Sequence, residues 1–284
     1  MKSYVLAGVD GSPHSDAAAR WAAAEAQRRG TGLRLLHCWP WLRHQAPDGT
    51  RTGDLRAAAR QALDHTVEEL RRDHPGLAVE AVTVTDSPVE GLVIGARESE
   101  LLVLGTRGLG GFAELLLGSV SLAVAARAGT PTVLVRATEE GAPGRLLLGL
   151  DARQPAAEVL EFAVREARLR GVPLHVVHGW SLEAVYATPG WFPPQVDVAE
   201  LQTAEETLLT EALAPWQAKY PEVEFRPQVR RDGAVQALLE PRSAADLVII
   251  GRRERRHDLG LRLGAVAHAV LHHAAAPVAV VPHD

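Results

Sequence analysis

The chain repeats itself, and the length of the repeat decides most of what it can fold into. "YVLAGVDGSPHSDAAARWAAAEAQRRGTGLRLLHCW" begins at Tyr4, and "RLLLGLDARQPAAEVLEFAVREARLRGVPLHVVHGW" begins at Arg145. Asp10 matches Asp151, Trp21 matches Phe162, His37 matches His178 and Trp39 matches Trp180, each 141 residues apart. Further on, "LLVLGTRG" matches "LVIIGRRE" and "TPTVLVR" matches "APVAVVP"; there Gly105 and Gly251, and Pro131 and Pro277, stand 146 apart. The second copy therefore carries 146 − 141 = 5 extra residues, placed in the loop with "ATPGWFPP" (187–194). A period this long excludes a solenoid, whose units run about 20 to 50 residues. The expectation is two domains of one fold, 1–138 and 144–284. The polar, Gly/Pro-containing "ATEEGAPG" (137–144) reads as the linker.

Within each copy apolar runs alternate with helical patterns. In the first, "YVLAGV", "LRLLH", "VEAVTV", "LLVL" and "TVLV" read as strands, and helices lie between them, including 14–29 and 53–73. Continuous apolar strands separated by helices predict an α/β fold of the doubly wound class, a parallel sheet covered on both faces. Ligands of such sheets bind outside the carboxyl ends of the strands, which singles out the residues just after each strand.

Composition narrows the partners. A net charge of −5 gives no footing for a generic polyanion binder, so no nucleic-acid partner is expected. No run approaches the roughly 20 apolar residues of a membrane span, and "MKSYVLAGVDGS" lacks an export pattern. The single cysteine, Cys38, excludes an internal disulfide framework and a Cys-based zinc site, and fits a reducing compartment. A cytoplasmic protein is expected.

Two strand ends stand out. After the first strand comes "VDGSPHSD": Asp10 at the strand end, then Ser12-Pro13, an N-cap followed by proline at the first helical position. Asp10 either caps this turn or offers a carboxylate to a ribose hydroxyl or a metal-bound phosphate. After the fourth strand comes "GTRGLGGFAELLLGS" (105–119), with five glycines. Glycines there let consecutive N–H groups form an anion nest, and the start of a helix adds a positive dipole end. Gly118-Ser119 is predicted to open a helix of about three turns, stopped by Gly129. The Ser119 and Ser121 hydroxyls would be available to phosphate, and Arg107 adds a charged fork. A mobile surface turn is the alternative for so many glycines. The Gly-x-x-x-x-Gly-Lys-Ser/Thr loop is excluded, since the two lysines, Lys2 and Lys219, stand in no such loop, and "GVDGS" does not fit a dinucleotide fingerprint.

The spacing Gly105-x2-Gly108-x9-Gly118-Ser119, with Asp10 closing the first strand and "LLHCW" the second, resembles the universal stress proteins, here as a tandem member covering essentially the whole chain. The resemblance implies two five-stranded, Rossmann-like domains that bind ATP, or ADP or AMP, at the strand carboxyl ends. It implies that Gly105, Gly108, Gly118, Ser119 and Ser121 hold phosphates and ribose, with Val120 supplying backbone. Asp10 would reach the ribose or the phosphate with its Mg2+. Cys38 would stand where the family's backbone binds adenine, and Ala7, Gly8 and Val9 would line the pocket. It also implies pairing through the fifth strands and assembly as a homodimer.

The second copy departs from this pattern. Its loop reads "GRRERRHDLGLRLGAVAH": Gly251 and Gly264 remain, but Glu254 replaces the second glycine and Ala265 the serine. "VDGS" has become "LDAR" after Asp151. A carboxylate facing phosphates is repulsive, so one nucleotide per chain is expected, and Glu254→Gly with Ala265→Ser should raise that number. Arg252, Arg253, Arg255 and Arg256 could still attract an anion, but read first as a solvated charged loop.

Other candidates carry less. His268 and His272 stand at i and i+4 with His273 adjacent, a metal-pair spacing without a third ligand nearby. His37 and His178 read as structural hydrogen-bonders, Trp180, Trp191 and Phe192 as packing, and Glu90 and Glu114 as exposed carboxylates without an evident partner. The residues favour a nucleotide-binding regulator over a slow ATPase or a phosphoryl- or nucleotidyl-transferring enzyme. Phosphoryl transfer needs a positioned base, and the loop holds glycine, serine and arginine.

Overall fold

The structure, a computed structural model, describes residues 4–39, 52–109, 117–137, 144–181, 197–240, 245–254 and 263–284. The chain divides into two compact units, Met1–Glu139 and Glu140–Asp284. Unit 1 runs β1 (Tyr4–Gly8), α1 (Pro13–Arg29), β2 (Gly32–Cys38), α2 (Thr52–Asp73), β3 (Val79–Val84), α3 (Pro88–Ala96), β4 (Leu101–Gly105), α4 (Ser119–Arg127) and β5 (Thr132–Val135). Unit 2 runs β6 (Leu146–Gly149), α5 (Ala157–Arg170), β7 (Leu174–Gly179), α6 (Val198–Lys219), β8 (Phe225–Arg230), α7 (Gly233–Leu239), β9 (Leu247–Arg253), α8 (Ala265–His273) and β10 (Val278–His283).

Each unit is a parallel α/β sheet with the order β3-β2-β1-β4-β5 in the first and β8-β7-β6-β9-β10 in the second. The chain winds outward from β1 to β3, then returns to place β4 on the other flank of β1. The point between β1 and β4 is where such a sheet opens a crevice. Val5 pairs with Leu33 on one side and Leu101 on the other, so β1 is central and its apolar residues are fully buried.

Local chemistry sets α1. Ser12 caps it by accepting from the Ser15 N–H, Pro13 occupies the first turn, and Gly30 in the left-handed region (φ 63°) closes it. Ala18, Ala19, Ala22, Ala23 and Ala26 are fully buried. This small-residue face lets the helix lie close on the sheet. Glu25 on the same helix is also fully buried, and Arg28 and Arg29 hold its carboxylate at 2.8 Å each. Unit 2 repeats the device 141 residues later, where buried Glu166 pairs with Arg170.

α4 is shorter than expected. Its nine residues end at Arg127, and the capping residue Ala128 is extended (ψ 130°), so Gly129 lies beyond the helix stop instead of forming it. Among the described residues no helix is long and apolar enough to cross a membrane.

Candidate functional site

A cavity of about 530 Å3 opens at the carboxyl edge of unit 1, at the β1/β4 crevice. Gly8, Val9 and Asp10 reach it from the end of β1 and Cys38 from the end of β2. Gly105, Arg107 and Gly108 follow from β4, and Gly118, Ser119, Val120 and Ser121 from the start of α4. Ala7 does not line it; it is fully buried one residue further inside β1. Leu36, Trp39, Pro88, Leu92 and Leu104 make the apolar part of the wall. The volume lies in the range of small-molecule sites, roughly 300–1,000 Å3.

The motif glycines serve different ends. A Cβ on Gly105 would lie 2.6 Å from the His14 carbonyl, so this glycine lets the first turn of α1 approach β4. A Cβ on Gly108 would lie 2.3 Å from Asp10 Oδ2. Gly8 is likewise a packing glycine, 2.5 Å from the Leu104 side chain by the same measure. Gly118 differs. Its backbone (φ −75°, ψ 147°) suits any residue, and a Cβ there meets no described residue closer than 3.4 Å. The fold does not require a glycine at 118; a close approach by something outside the chain would.

Asp10 ties the two strand ends together. Its Oδ1 accepts from the Ser12 N–H and its Oδ2 from the Leu109 N–H, each at 3.0 Å. The carboxylate thus caps the turn after β1 and holds the glycine loop at once, which takes one lone pair of each oxygen. The Ser12 hydroxyl adds a contact to the Arg107 carbonyl at 3.4 Å. Ser121 does not offer its hydroxyl proton to a ligand as the sequence reading expected: its Oγ donates to the Gly105 carbonyl at 2.7 Å, pinning α4 to β4. Ser119 is exposed at the first position of α4, and among the described residues no side chain caps that helix. The first N–H groups of a helix have no intrahelical acceptor, so α4 presents bare donors beside a hydroxyl at the cavity.

Two basic residues were missed by sequence reasoning. His14, on the first turn of α1, accepts from Arg107 Nε at 3.2 Å. Arg136 directly follows β5, whose Val135 carbonyl accepts from the Thr106 N–H. Burial, then Arg107, push the His14 pKa down, against an upward pull from Asp10. Burial, then Arg107, also lower that of Arg136. Sequence separations of 93 (107 − 14) and 29 (136 − 107) residues hide this grouping; only the order of strand ends along the sheet could have suggested it.

Unit 2 fills the equivalent edge with its own side chains. His37 and His178 both set Nδ1 against the carbonyl before the strand-end aspartate, Val9 at 2.8 Å and Leu150 at 3.1 Å. His178 Nε2 then meets Glu205 of α6 at 3.0 Å, and Arg153 pairs with the same carboxylate. Trp180 Nε1 donates to Gln202, also of α6, at 3.0 Å. In unit 1, His37 Nε2 and Trp39 Nε1 are buried without a hydrogen-bond partner among the described residues. Helices α2 and α6 match residue for residue at an offset of 146 (52 to 198, 73 to 219), and Ala59 stands where Glu205 does.

The turn and the next helix differ too. Gly11 takes φ 84°, whereas Ala152 has no positive φ and is buried, with its N–H 3.3 Å from His178 Nδ1. A Cβ on Gly179, the counterpart of Cys38, would lie 2.4 Å from the Ala234 backbone, so the first turn of α7 rests directly on the end of β7.

The remaining candidates resolve simply. Glu90 has a partner after all, Arg127 at 2.6 Å. The His268 and His272 rings stand 4.4 Å apart, and among the described residues no group of three metal-ligating side chains occurs. Arg252 reaches Glu254 at 3.3 Å and Arg253 reaches Gln154 at 2.6 Å, so both are structured by neighbours. Glu114, Trp191, Phe192, Arg255, Arg256 and residues 138–143 of the linker lie outside the described residues.

Comparison with known proteins agrees with this architecture. The sequence profile described as "Universal stress protein family" matches twice, over residues 2–136 and 143–282. Universal stress protein Rv2005c of Mycobacterium tuberculosis is 34% identical over 288 residues, covering 97% of this chain and 96% of its own. A universal stress protein of Mycolicibacterium smegmatis is 34% identical over 291 residues, covering 98% and 96%. Among solved structures, that of a universal stress protein from Archaeoglobus fulgidus superposes with a TM-score of 0.71 at 16% identity, over 100% of both chains.

Proposed function

The chain belongs to the universal stress protein family, and we propose that its unit 1 is an adenine-nucleotide-binding regulatory module, with ATP, or ADP or AMP, as the ligand. One observation carries the reading: the uncapped start of α4, with the exposed Ser119 and the unforced Gly118, opens on a cavity of ligand size at the sheet's switch point. Phosphates would lie against the N–H groups of Ser119 and Val120 and the Ser119 hydroxyl, and Arg107 would add charge. The base would lie toward Val9, Leu36 and Cys38, where the wall is apolar. Asp10 holds the glycine loop in shape and keeps a free lone pair on each oxygen toward a nucleotide-bound Mg2+. It is the one carboxylate among the described lining residues, so such an ion would be held mainly by the phosphates.

Binding without turnover fits the residues better than hydrolysis. His14 Nε2 is occupied by Arg107, and His37, the imidazole that lines the cavity, has its Nε2 buried at the end of β2, on the side away from the proposed phosphate position at α4. Bound nucleotide would then stabilise one state of the chain for a partner to read. Association as a homodimer in the cytoplasm belongs to the same reading, with light scattering at micromolar concentration as its check. The central test is chemical: denature purified protein, identify the nucleotide released, and follow ATP with Mg2+ over hours. Intact, stoichiometric ATP supports the proposal. Rapid multiple turnover would favour a slow ATPase, and no bound or binding nucleotide would end it.

A further inference from the structure

The first turn of α7 lies on the end of its neighbouring strand, and the first turn of its counterpart α3 does not. One turn further along, the two helices sit alike. A Cβ on Gly8 of β1 would lie 2.7 Å from the Leu92 side chain, and one on Gly149 of β6 would lie 2.8 Å from that of Leu238. The difference is confined to the helix start. A Cβ on Gly179, at the end of β7, would lie 2.4 Å from the Ala234 N and Cα and 2.6 Å from the Gly233 carbonyl carbon. Gly233 takes φ 77° and donates its N–H to the Trp180 carbonyl at 3.0 Å. Backbone does not yield as the end of a flexible side chain does, so this docking requires a residue without Cβ at 179.

Unit 1 has Cys38 at that position (38 + 141 = 179), with Ser87 and Pro88 opposite (87 + 146 = 233, 88 + 146 = 234). Ser87 keeps φ −61°, caps α3 by accepting from the Glu90 N–H, and gives its own N–H to Asp86 instead of to the strand end. The Cys38 thiol reaches the Pro88 carbonyl at 3.8 Å. Gly91 makes room for it: a Cβ there would lie 2.7 Å from Sγ, and unit 2, with no side chain at 179, carries Ala237 at that place. Cys38, Pro88 and Leu92 line the cavity. We propose that Cys38 is a spacer: its bulk, not its chemistry, holds the first turn of α3 off β2 and keeps the apolar end of the cavity open, with α3 pivoting on Leu92. That closure would shut out a base rests on the nucleotide reading of unit 1; the spacer itself rests on packing.

The test transplants the corner of unit 2 into unit 1 of the full chain, in two versions. One carries Cys38→Gly with Ser87→Gly and Pro88→Ala. The other carries Cys38→Ala with the same two changes, so the lost cap is common to both and they differ by one methyl group. In the glycine version the first turn of α3 should dock on β2. Its amides should exchange about tenfold more slowly than in the alanine version, and ATP should bind about tenfold more weakly by calorimetry. Equal exchange in the two versions, or equal ATP affinity where wild type binds ATP, would overturn the proposal. Wild type without affinity for ATP ends the nucleotide reading, and the exchange difference alone then decides the spacer. Should either transplant fail to fold, Gly179→Ala reads the same contact in unit 2. It should speed exchange in the first turn of α7 about tenfold, and unchanged exchange there would sink the spacer.

Discussion

The same histidine and the same tryptophan end β2 and β7, yet one pair faces a helix that satisfies it and the other does not. In unit 2, Glu205 and Gln202 of α6 complete His178 and Trp180; in unit 1, α2 offers Ala59 in the place of Glu205, and among the described residues nothing completes His37 Nε2 and Trp39 Nε1. Loss of a site is commonly read from its loop. Here the loop is half of the matter: the edge of unit 2 is occupied by α6 side chains, by the α7 turn on Gly179 and by the inward Ala152. The carboxyl edge of such a sheet can be packed with the chain's own side chains, with the fold untouched.

The largest effect should come from emptying that edge. Glu205→Ala removes the acceptor shared by Arg153 and His178, both residues of the pair at its centre being under 4% exposed. A cost of about 2–3 kcal/mol is expected for a charged hydrogen bond lost in a buried setting. It should appear as faster hydrogen exchange in α6 with ATP binding unchanged. Equal protection in α6 would mean that this network is ornamental to unit 2.

Next in size is Gly118→Val. The backbone and its neighbours tolerate a side chain, so the variant should melt like wild type and lose ATP affinity by about 2.7 kcal/mol, a hundredfold. Undiminished binding in calorimetry would show that no ligand comes near residue 118. Ser119→Ala is smaller, about 1–2 kcal/mol for one hydroxyl to phosphate. Ser121→Ala should instead act on stability, since its hydroxyl is spent on Gly105.

Restoring the loop of unit 2 should achieve little, contrary to what its sequence suggests. Glu254→Gly with Ala265→Ser removes a repulsion, but Glu205, Arg153 and the α7 turn still fill the edge. Titration should keep one ATP per chain, and two would show that the filling yields to ligand.

The smallest effect is on acid stability. The folded-state pKa of His14 lies below its ordinary value of 6.5, so the unfolded chain binds the proton more readily. Stability from this group is full above about pH 6.5 and falls as the pH drops through the folded pKa. His175 in unit 2 shifts the same way, through burial and then Arg145 and Arg226. His14→Gln should flatten part of the loss between about pH 7 and 5 in thermal melts. Added ATP, by placing negative charge near His14, should flatten it as well.

Sequence reading reaches what is periodic or local. The two copies and the strand ends follow from runs and spacings, and the loop from Gly105 to Ser121 from one strand–loop–helix segment, whereas Gly8, Val9 and Cys38 entered only through the family resemblance. It does not reach the partners. Whether Ser121 turns its hydroxyl to a ligand or to Gly105 depends on how close α4 comes to β4, which no pattern encodes. Glu205 reads as one more polar residue on a 22-residue helix until α6 is laid over His178. Glu25 likewise reads as a surface carboxylate in "AEAQRR", though it is fully buried between arginines.

Cys38 has a consequence of another kind. Burial, then Asp86, push its thiol up to about 12, and its Sγ–H points to the Pro88 carbonyl. At neutral pH the nucleophilic thiolate is then on the order of one molecule in 10^5, because reactivity follows the deprotonated fraction. The sole sulfur nucleophile of this stress-family chain is therefore chemically quiet toward peroxides and electrophiles. Oxidants would meet this thiol slowly, and a ligand seated in the cavity it lines would slow them further.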